Sequence, residues 1–235
     1  MIGATGGLGR AFVEALAAEP GAGTVLALSR RAAPFGDTPR IAAGAIDIED
    51  EASIAAAAGA ARAQGSRYHL ILVATGLLQD ETMSPEKSWT ALSADTLARA
   101  FRINATGPAL VAKHFLPLLD DAAKSVFACL SARVGSIEDN ALGGWHAYRA
   151  SKAALNMMLR TLSIELARRN RAALCVGLHP GTVDTSLSKP FQGNVPDGKL
   201  FTPAFSAHKL LGVIDGLETR DSGRLFAWDG QRIPF

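Results

Sequence analysis

The first nine residues restrict the fold more than any other stretch of the chain. They read Met1-Ile2-Gly3-Ala4-Thr5-Gly6-Gly7-Leu8-Gly9, with glycines at G-x-x-x-G-x-G spacing and an extra one at Gly6. Glycines in that pattern let the backbone turn tightly and approach a pyrophosphate with no Cβ in the way. The helix that follows would present free N–H groups and the positive end of its dipole to the phosphates. Gly3, Thr5, Gly6, Gly7, Leu8 and Gly9 are therefore candidate cofactor contacts. A glycine-rich turn without a ligand satisfies the same pattern, so the context decides. A nucleotide-binding βαβ unit also needs a strand of ~5 residues ahead of its glycines. Only Met1 and Ile2 precede Gly3, which implies a first strand cut very short or a few residues missing upstream.

The rest of the chain supplies the context. Leu8–Glu19 reads as an Ala-rich helix closed by Pro20-Gly21, and Thr24–Ser29 as a nearly all-apolar strand. Such a strand is buried on both faces. Ile41–Ile48 is the next strand, Ala52–Ala63 an Ala-rich helix, and His69–Ala74 another buried strand. A helical stretch covers Ala94–Leu118, and the strand Ser125–Ser131 follows it. His146–Arg169 carries an apolar stripe of helical period at Leu155, Met158, Leu159, Leu162 and Leu166. Ala172–His179 is a strand that runs into Pro180-Gly181, and a helix (Pro203–Leu217) and a short strand (Gly223–Ala227) complete the chain. Buried strands alternating with helices predict one doubly wound, Rossmann-type α/β domain over residues 1–235, its parallel sheet flanked by helices on both faces. The Pro- and Gly-rich stretch Asp184–Thr202 has the length of a substrate loop or lid.

Composition removes several function classes. Hydrophobic residues make up 48% and charged residues 20%, an ordinary globular balance. A net charge of +2 gives no reason to expect nucleic acid or a membrane surface as partner. Cys129 and Cys175 stand far apart without metal-ligand spacing, and no His pattern supplies a metal site. With no apolar run of ~18 residues and no signal peptide at the start, a cytoplasmic protein is expected.

Two places carry chemistry. The residue that sorts NAD from NADP should lie ~20 residues beyond the glycines, at the end of the second strand. Ser29-Arg30-Arg31 stands there, with no carboxylate for a ribose 2′-hydroxyl and two guanidiniums for a 2′-phosphate. NADP(H) is expected over NAD(H), against the plainer alternative of a solvated basic turn. Farther on, Tyr148 and Lys152 stand at i and i+4, on one face of a helix. A phenol titrates near ~10, too high for efficient proton transfer at neutrality. Bringing it to ~7 takes about 4 kcal/mol, which a neighbouring cation and an oxidised nicotinamide ring could supply. An isolated Y-x-x-x-K is common on helix surfaces, and the upstream glycine loop is what makes this one informative.

Taken together, Gly3-x-x-x-Gly7-x-Gly9, Asp47-Ile48, Ala74-Thr75-Gly76, Asn104-Ala-x-Gly107, Leu130-Ser131, Tyr148-x-x-Ser151-Lys152 and Pro180-Gly181-x-Val183-x-Thr185 resemble the short-chain dehydrogenase/reductase family. The likeness spans essentially the whole chain. Ser131-Ala-Arg-Val-Gly-Ser136-Ile137 and Gly143-Gly144-Trp145 look most like its branch of C-factor-type signalling proteins and sniffer-type carbonyl reductases. The resemblance implies that Tyr148 is the acid/base, that Lys152 lowers its pKa and holds the nicotinamide ribose, and that Asn104 anchors a water. It also implies that Asp47 and Ile48 flank the adenine, that Ala74, Thr75 and Gly76 line the cofactor, and that Pro180, Gly181, Val183 and Thr185 pack on the nicotinamide. A small-molecule carbonyl or alcohol substrate follows, as does a homodimer or homotetramer paired through the long helices.

The chain departs from the family pattern at three points. Ile2 stands where a Thr usually precedes the first glycine, and Val73-Ala-Thr-Gly76 replaces the usual Asn-Asn-Ala-Gly. Ala132 stands where the second serine of Ser-Ser-x-x-Gly normally polarises the carbonyl. Ser131 is the expected substitute, although neighbouring strand residues point to opposite faces and Ser131 serves only if the strand end twists; Ser136 is the other candidate. His114, His146 and His179 read as structural or rim residues, and Trp145 and Phe191 as packing or pocket wall. Two functions stay open: an NADPH-dependent reductase of a hydrophobic carbonyl compound, which is preferred, and a nucleotide-binding signalling protein with little turnover. Alcohol oxidation with NAD is a further variant of the first.

Overall fold

The computed structural model describes residues 1–31, 35, 38–65 and 67–235. Helix α1 (Gly7–Ala18) leads to the parallel pair β1 (Val25–Ser29) and β2 (Ile41–Ala45), and α2 (Glu51–Ala63) follows. Next come β3 (Leu70–Val73), α3 (Ala94–Phe101), α4 (Gly107–Phe115), β4 (Ser125–Leu130), α5 (His146–Arg169) and β5 (Ala173–His179). A side pair, β6 (Thr182–Val183) and β7 (Leu200–Phe201), precedes α6 (Pro203–Gly216), β8 (Leu225–Ala227) and β9 (Arg232–Ile233). The fold is the doubly wound parallel sheet that the alternation predicts. β3, β4, β5 and β8 lie side by side in parallel, with β9 antiparallel at the far edge.

Met1 and Ile2 occupy the place of the strand expected before the glycines. Ile2 bridges Leu28 of β1 on one side and Val73 of β3 on the other, so one residue joins β1–β2 to the rest of the sheet. The switch in winding therefore falls where the glycine loop leaves the sheet, the place at which open α/β sheets form their ligand crevice.

Alternation along the strands builds two cores. Phe127, Cys129 and Cys175 face α2, α4 and α5, where they meet Ile54, Val111 and Leu155. Val126, Ala128, Leu174 and Val176 face α1 and α6, where they meet Phe12 and Leu210. All six residues of β4 are buried. Each large side chain so buried contributes ~1.5–3 kcal/mol, which is why near-continuous apolar runs commit to this position in a sheet.

Three expectations need correction. The Ala94–Leu118 helix is not continuous: a π-helical turn at Arg102–Thr106 separates α3 from α4, and Leu116–Leu118 tightens into a 3₁₀ turn. The second predicted strand stops at Ala45 rather than Ile48, because Asp47 turns the chain into α2: its N–H donates to Ser53 Oγ and its carboxylate accepts from Glu49 N. Met158 drops out of the apolar stripe and lies 45% exposed on α5.

Candidate active site

The carboxyl ends of β3, β4 and β5 and the start of α1 enclose a cavity of about 410 Å³. Fourteen of the residues singled out in the sequence line it: Gly6 to Gly9 from the loop, Ala74 to Gly76 after β3, Ser131 after β4, Tyr148 and Lys152 on α5, and Pro180, Gly181, Val183 and Thr185 beyond β5. Trp145, His179 and Phe191 line it as well, and the remaining candidates lie outside it. Gly3 sits beneath the loop at φ +84, and Thr5 is exposed. Ser29 is buried with its hydroxyl on Arg31 O at 2.6 Å, while Arg30 and Arg31 are exposed at the end of β1. Asp47 is half-buried in its turn, and buried Ile48 packs against Gly107.

Close approach explains the loop glycines. A Cβ on Gly9 would come within 2.0 Å of Gly3 O, and one on Gly7 within 2.9 Å of the Thr185 methyl. Gly6 caps α1 without a side-chain bond, so the first amides of that helix have no partner from their own cap. Thr75 Oγ1 is buried without a hydrogen-bond partner.

Helix α5 delivers Tyr148 and Lys152 one turn apart. Its entry is unusual: Gly143, Gly144 and Trp145 all take positive φ, and Trp145 is the one non-glycine residue to do so among the described residues. For Trp145, which carries a Cβ, that conformation costs ~1–2 kcal/mol. Glu86 holds it, its carbonyl accepting from Trp145 N at 2.6 Å and its carboxylate from Ala147 N at 3.2 Å. Arg149 adds bonds back to Gly143 O and Gly144 O. Sequence reasoning missed Glu86, since no local pattern links it to a helix 61 positions away. The strained entry sets the Trp145 ring 4.9 Å from Phe191 and 6.4 Å from Tyr148. Leu78, Ala132, Val134 and Leu187 complete an apolar wall around the phenol.

The two titratable groups are buried. Burial pushes the Tyr148 phenol up to about 12, against the direction that the Tyr–Lys spacing predicts. Burial likewise pushes the Lys152 ammonium down to about 8, with nearby Cys129 opposing weakly. Lys152 Nζ donates to Leu130 O at 2.9 Å and stands 5.9 Å from the Tyr148 ring centre. Asn104, in the π turn, is fully buried; its side chain accepts from Leu77 N and donates to Leu77 O, both at 2.8 Å, and donates to Ser151 Oγ at 3.0 Å. A π turn is a frequent marker of a functional position, and here it aims one amide at the loop that carries Gly76.

The two serine candidates separate. Ser131 lines the cavity, but its hydroxyl donates to Asn156 Oδ1 at 2.7 Å. Ser136 lies outside the lining and accepts from Asp139 N at 3.1 Å. Among the described residues no three His, Cys, Asp or Glu side chains gather as a metal site, and no helix is long and apolar enough to cross a membrane.

Comparison with known proteins agrees with this geometry. A family model described as short chain dehydrogenase matches residues 1–195. C-signal of Myxococcus xanthus is 42% identical over 139 residues, 59% of this chain and 78% of that protein. The 1-hydroxy-2-glutathionyl-2-methyl-3-butene dehydrogenase of Rhodococcus sp. (strain AD45) is 33% identical over 186 residues, 79% of this chain and 76% of the other. Among solved structures, NADPH-bound carbonyl reductase from chicken fatty liver matches with a TM-score of 0.85 at 28% identity, covering 100% of this chain and 97% of that one. The carbonyl reductase Sniffer of D. melanogaster matches equally well in fold, with a TM-score of 0.85 at 22% identity and the same coverage.

Proposed function

The chain belongs to the short-chain dehydrogenase family, and on that footing we propose that it reduces a small or medium hydrophobic carbonyl compound with NADPH, Tyr148 supplying the proton. The observation that carries this reading is the Tyr148 phenol, set in an apolar wall and sharing one cavity with the glycine loop and Lys152. Residues 1–235 then act as one dinucleotide-binding domain, with the stretch 184–202 as its substrate loop. A dinucleotide fits the residues present. The start of α1 offers amides that no side chain caps, and the Thr75 hydroxyl is buried with no partner of its own. Gly6 to Gly9 would hold the phosphates, Arg30 and Arg31 the 2′-phosphate, and Ala74 to Gly76 with Pro180 to Thr185 the nicotinamide half.

When bound, the reduced nicotinamide supplies a hydride for the carbonyl carbon. The chain's own part is proton transfer and positioning. A phenol held near 12 stays protonated at neutral pH, so Tyr148 stands ready to donate to the carbonyl oxygen as it becomes alkoxide, and solvent then returns a proton to it. Lys152 is cationic below about 8 and stabilises the phenolate left behind. Asn104 fixes the Gly76–Leu77 backbone against α5 through Ser151. The exposed apolar side chains of Met157, Met158 and Ile164 support pairing of two chains through α5, and the two buried thiols fit a reducing cytoplasm.

The test is NADPH and NADH oxidation with a panel of aldehydes, ketones and quinones, using the parent chain and Arg30→Asp. NADPH consumption is expected with at least one apolar carbonyl. Arg30→Asp should weaken NADPH ~10- to 100-fold, the worth of a charge-assisted phosphate contact, and leave NADH nearly unchanged. Equal effects on the two cofactors would remove the NADPH assignment. A second reading, a nucleotide-binding signalling protein with little turnover, is favoured by Ala132 and by the likeness to C-signal. Tight NADPH binding without turnover of any compound would select it.

The pH dependence has a definite sign. Because burial lowers the Lys152 pKa to about 8, the cation is lost as pH rises through that value, while Tyr148 keeps its proton to about 12. The kcat/KM for reduction should therefore fall on the alkaline side with a midpoint near 8. A profile still flat at pH ~9.5, well beyond that midpoint, would show that the Lys152 charge does not serve the reaction.

A further inference from the structure

We propose that His179 donates the hydrogen bond that polarises the substrate oxygen beside Tyr148, a task for which the chain has only alanine at position 132. The inference deepens the reductase reading and rests on it.

The serine positions are empty, engaged or outside the cavity. Ala132 packs its methyl against Leu78 and Tyr148. Ser131 has one proton to donate, and Asn156 Oδ1 receives it at 2.7 Å. Releasing it would strand a buried amide oxygen, since Asn156 is itself held in place by its bond to Gly135 O. Ser136 lies outside the cavity lining and is tied to the Asp139 amide.

His179 is placed to take over. β4 and β5 pair with Leu130 opposite Leu178, and Ser131 N donates to Leu178 O at 2.8 Å. The next residue of β5, His179, therefore stands beside Ser131 at the carboxyl ends of the two strands. It lines the same cavity as Tyr148 and Lys152. Its ring is not used by the protein: Nδ1 is buried with no hydrogen-bond partner. A buried N–H without an acceptor is rarer and costlier than a bare lone pair, which puts the ring proton on Nε2, the edge left to meet a ligand. Burial and the Arg133 guanidinium hold the imidazole down to about 4, against the pull of Asp229 and Asp139. At neutral pH the ring is a neutral donor, and a neutral imidazole can polarise a carbonyl.

The test uses the full chain, NADPH and the carbonyl compound with the highest parent rate. His179→Ala should lower kcat roughly 10²- to 10³-fold, the usual loss for an oxyanion donor, with NADPH binding within about twofold. His179→Gln, which keeps an N–H near the Nε2 position, should recover at least roughly tenfold of that loss, and so should Ala132→Ser placed in the His179→Ala background. Nitrogen-15 NMR of the parent chain gives a readout apart from activity. His179 should appear as the neutral Nε2–H form at pH ~7 and stay so down to about pH 5, as its lowered pKa requires. A His179→Ala variant within about twofold of the parent kcat would overturn the inference if Tyr148→Phe is still inactive, and so would an Nδ1–H or doubly protonated ring at neutral pH. The reductase reading fails on other results, namely no carbonyl turned over by the parent chain, or a Tyr148→Phe variant as active as the parent; either takes this inference down with it.

Discussion

Tyr148→Phe is expected to lower carbonyl reduction roughly 10³-fold or more, while NADPH binding stays within about twofold of the parent. The expectation has two parts. A positioned proton donor is worth ~10²–10⁴ in rate, and the Ser131 hydroxyl in the same cavity already gives its proton to Asn156 Oδ1. The ring itself remains, so the apolar wall with Leu78 and Ala132 and the edge contact with Trp145 survive the change. The thermal midpoint should therefore not fall, and removing a hydroxyl from a buried apolar site can raise it. Steady-state kinetics, a cofactor titration and a melting curve on one preparation decide the matter. An active variant would show that the proton comes from elsewhere.

The second large effect concerns the loop. Gly9→Ala should destabilise the chain by ~1–3 kcal/mol and weaken NADPH at least roughly tenfold, because a new methyl cannot fit without moving backbone. Its Cβ would lie 2.0 Å from Gly3 O and 3.0 Å from Gly3 C, and both are main-chain atoms fixed by the sheet. Gly3 N and Ala4 N donate to Leu28 O, so pushing the loop away breaks its attachment to β1. Gly6→Ala is the matched control. A Cβ there meets only Gly3 O, at the ordinary distance of 3.5 Å, and Gly6 already has a negative φ. The control should melt with the parent chain. If both variants melt alike, close approach is not the reason for glycine at position 9.

The fold was legible wherever one local pattern decided an element. His69–Ala74 and Ser125–Ser131 announce strands buried on both faces, and α5 begins and ends where its apolar stripe and flanking residues place it. The break between α3 and α4 was not legible, because it accompanies a bond between Asn104 and Leu77, 27 positions earlier. The pairing of β6 with β7 escaped for the same reason, two residues each and eighteen positions apart in register at Val183 and Phe201. In the candidate site, the glycine loop and the Tyr148–Lys152 pair are spacings that sequence displays directly. Their protonation is not: spacing shows a lysine one turn from a tyrosine, whereas the burial that raises one pKa and lowers the other depends on the assembled walls. Likewise a histidine before Pro180-Gly181 can be read in the sequence, but the missing partner for its Nδ1 appears only in three dimensions.

The short pair β6–β7 has a consequence for how such a chain can diversify. Asp184 N donates to Phe201 O at 2.8 Å, and the Phe201 ring is wedged against Gly181 and 4.6 Å from Trp228. Both legs of the excursion are thus clamped together at its root, while its tip carries Phe191 out to meet Trp145. The clamp keeps both ends of residues 189–199 in place whatever their length, so a rewritten or grafted segment would act on α5 through the contact that Phe191 makes with Trp145. On the proposed function, new substrate preferences would arise there while Tyr148 and Lys152 keep their places on α5.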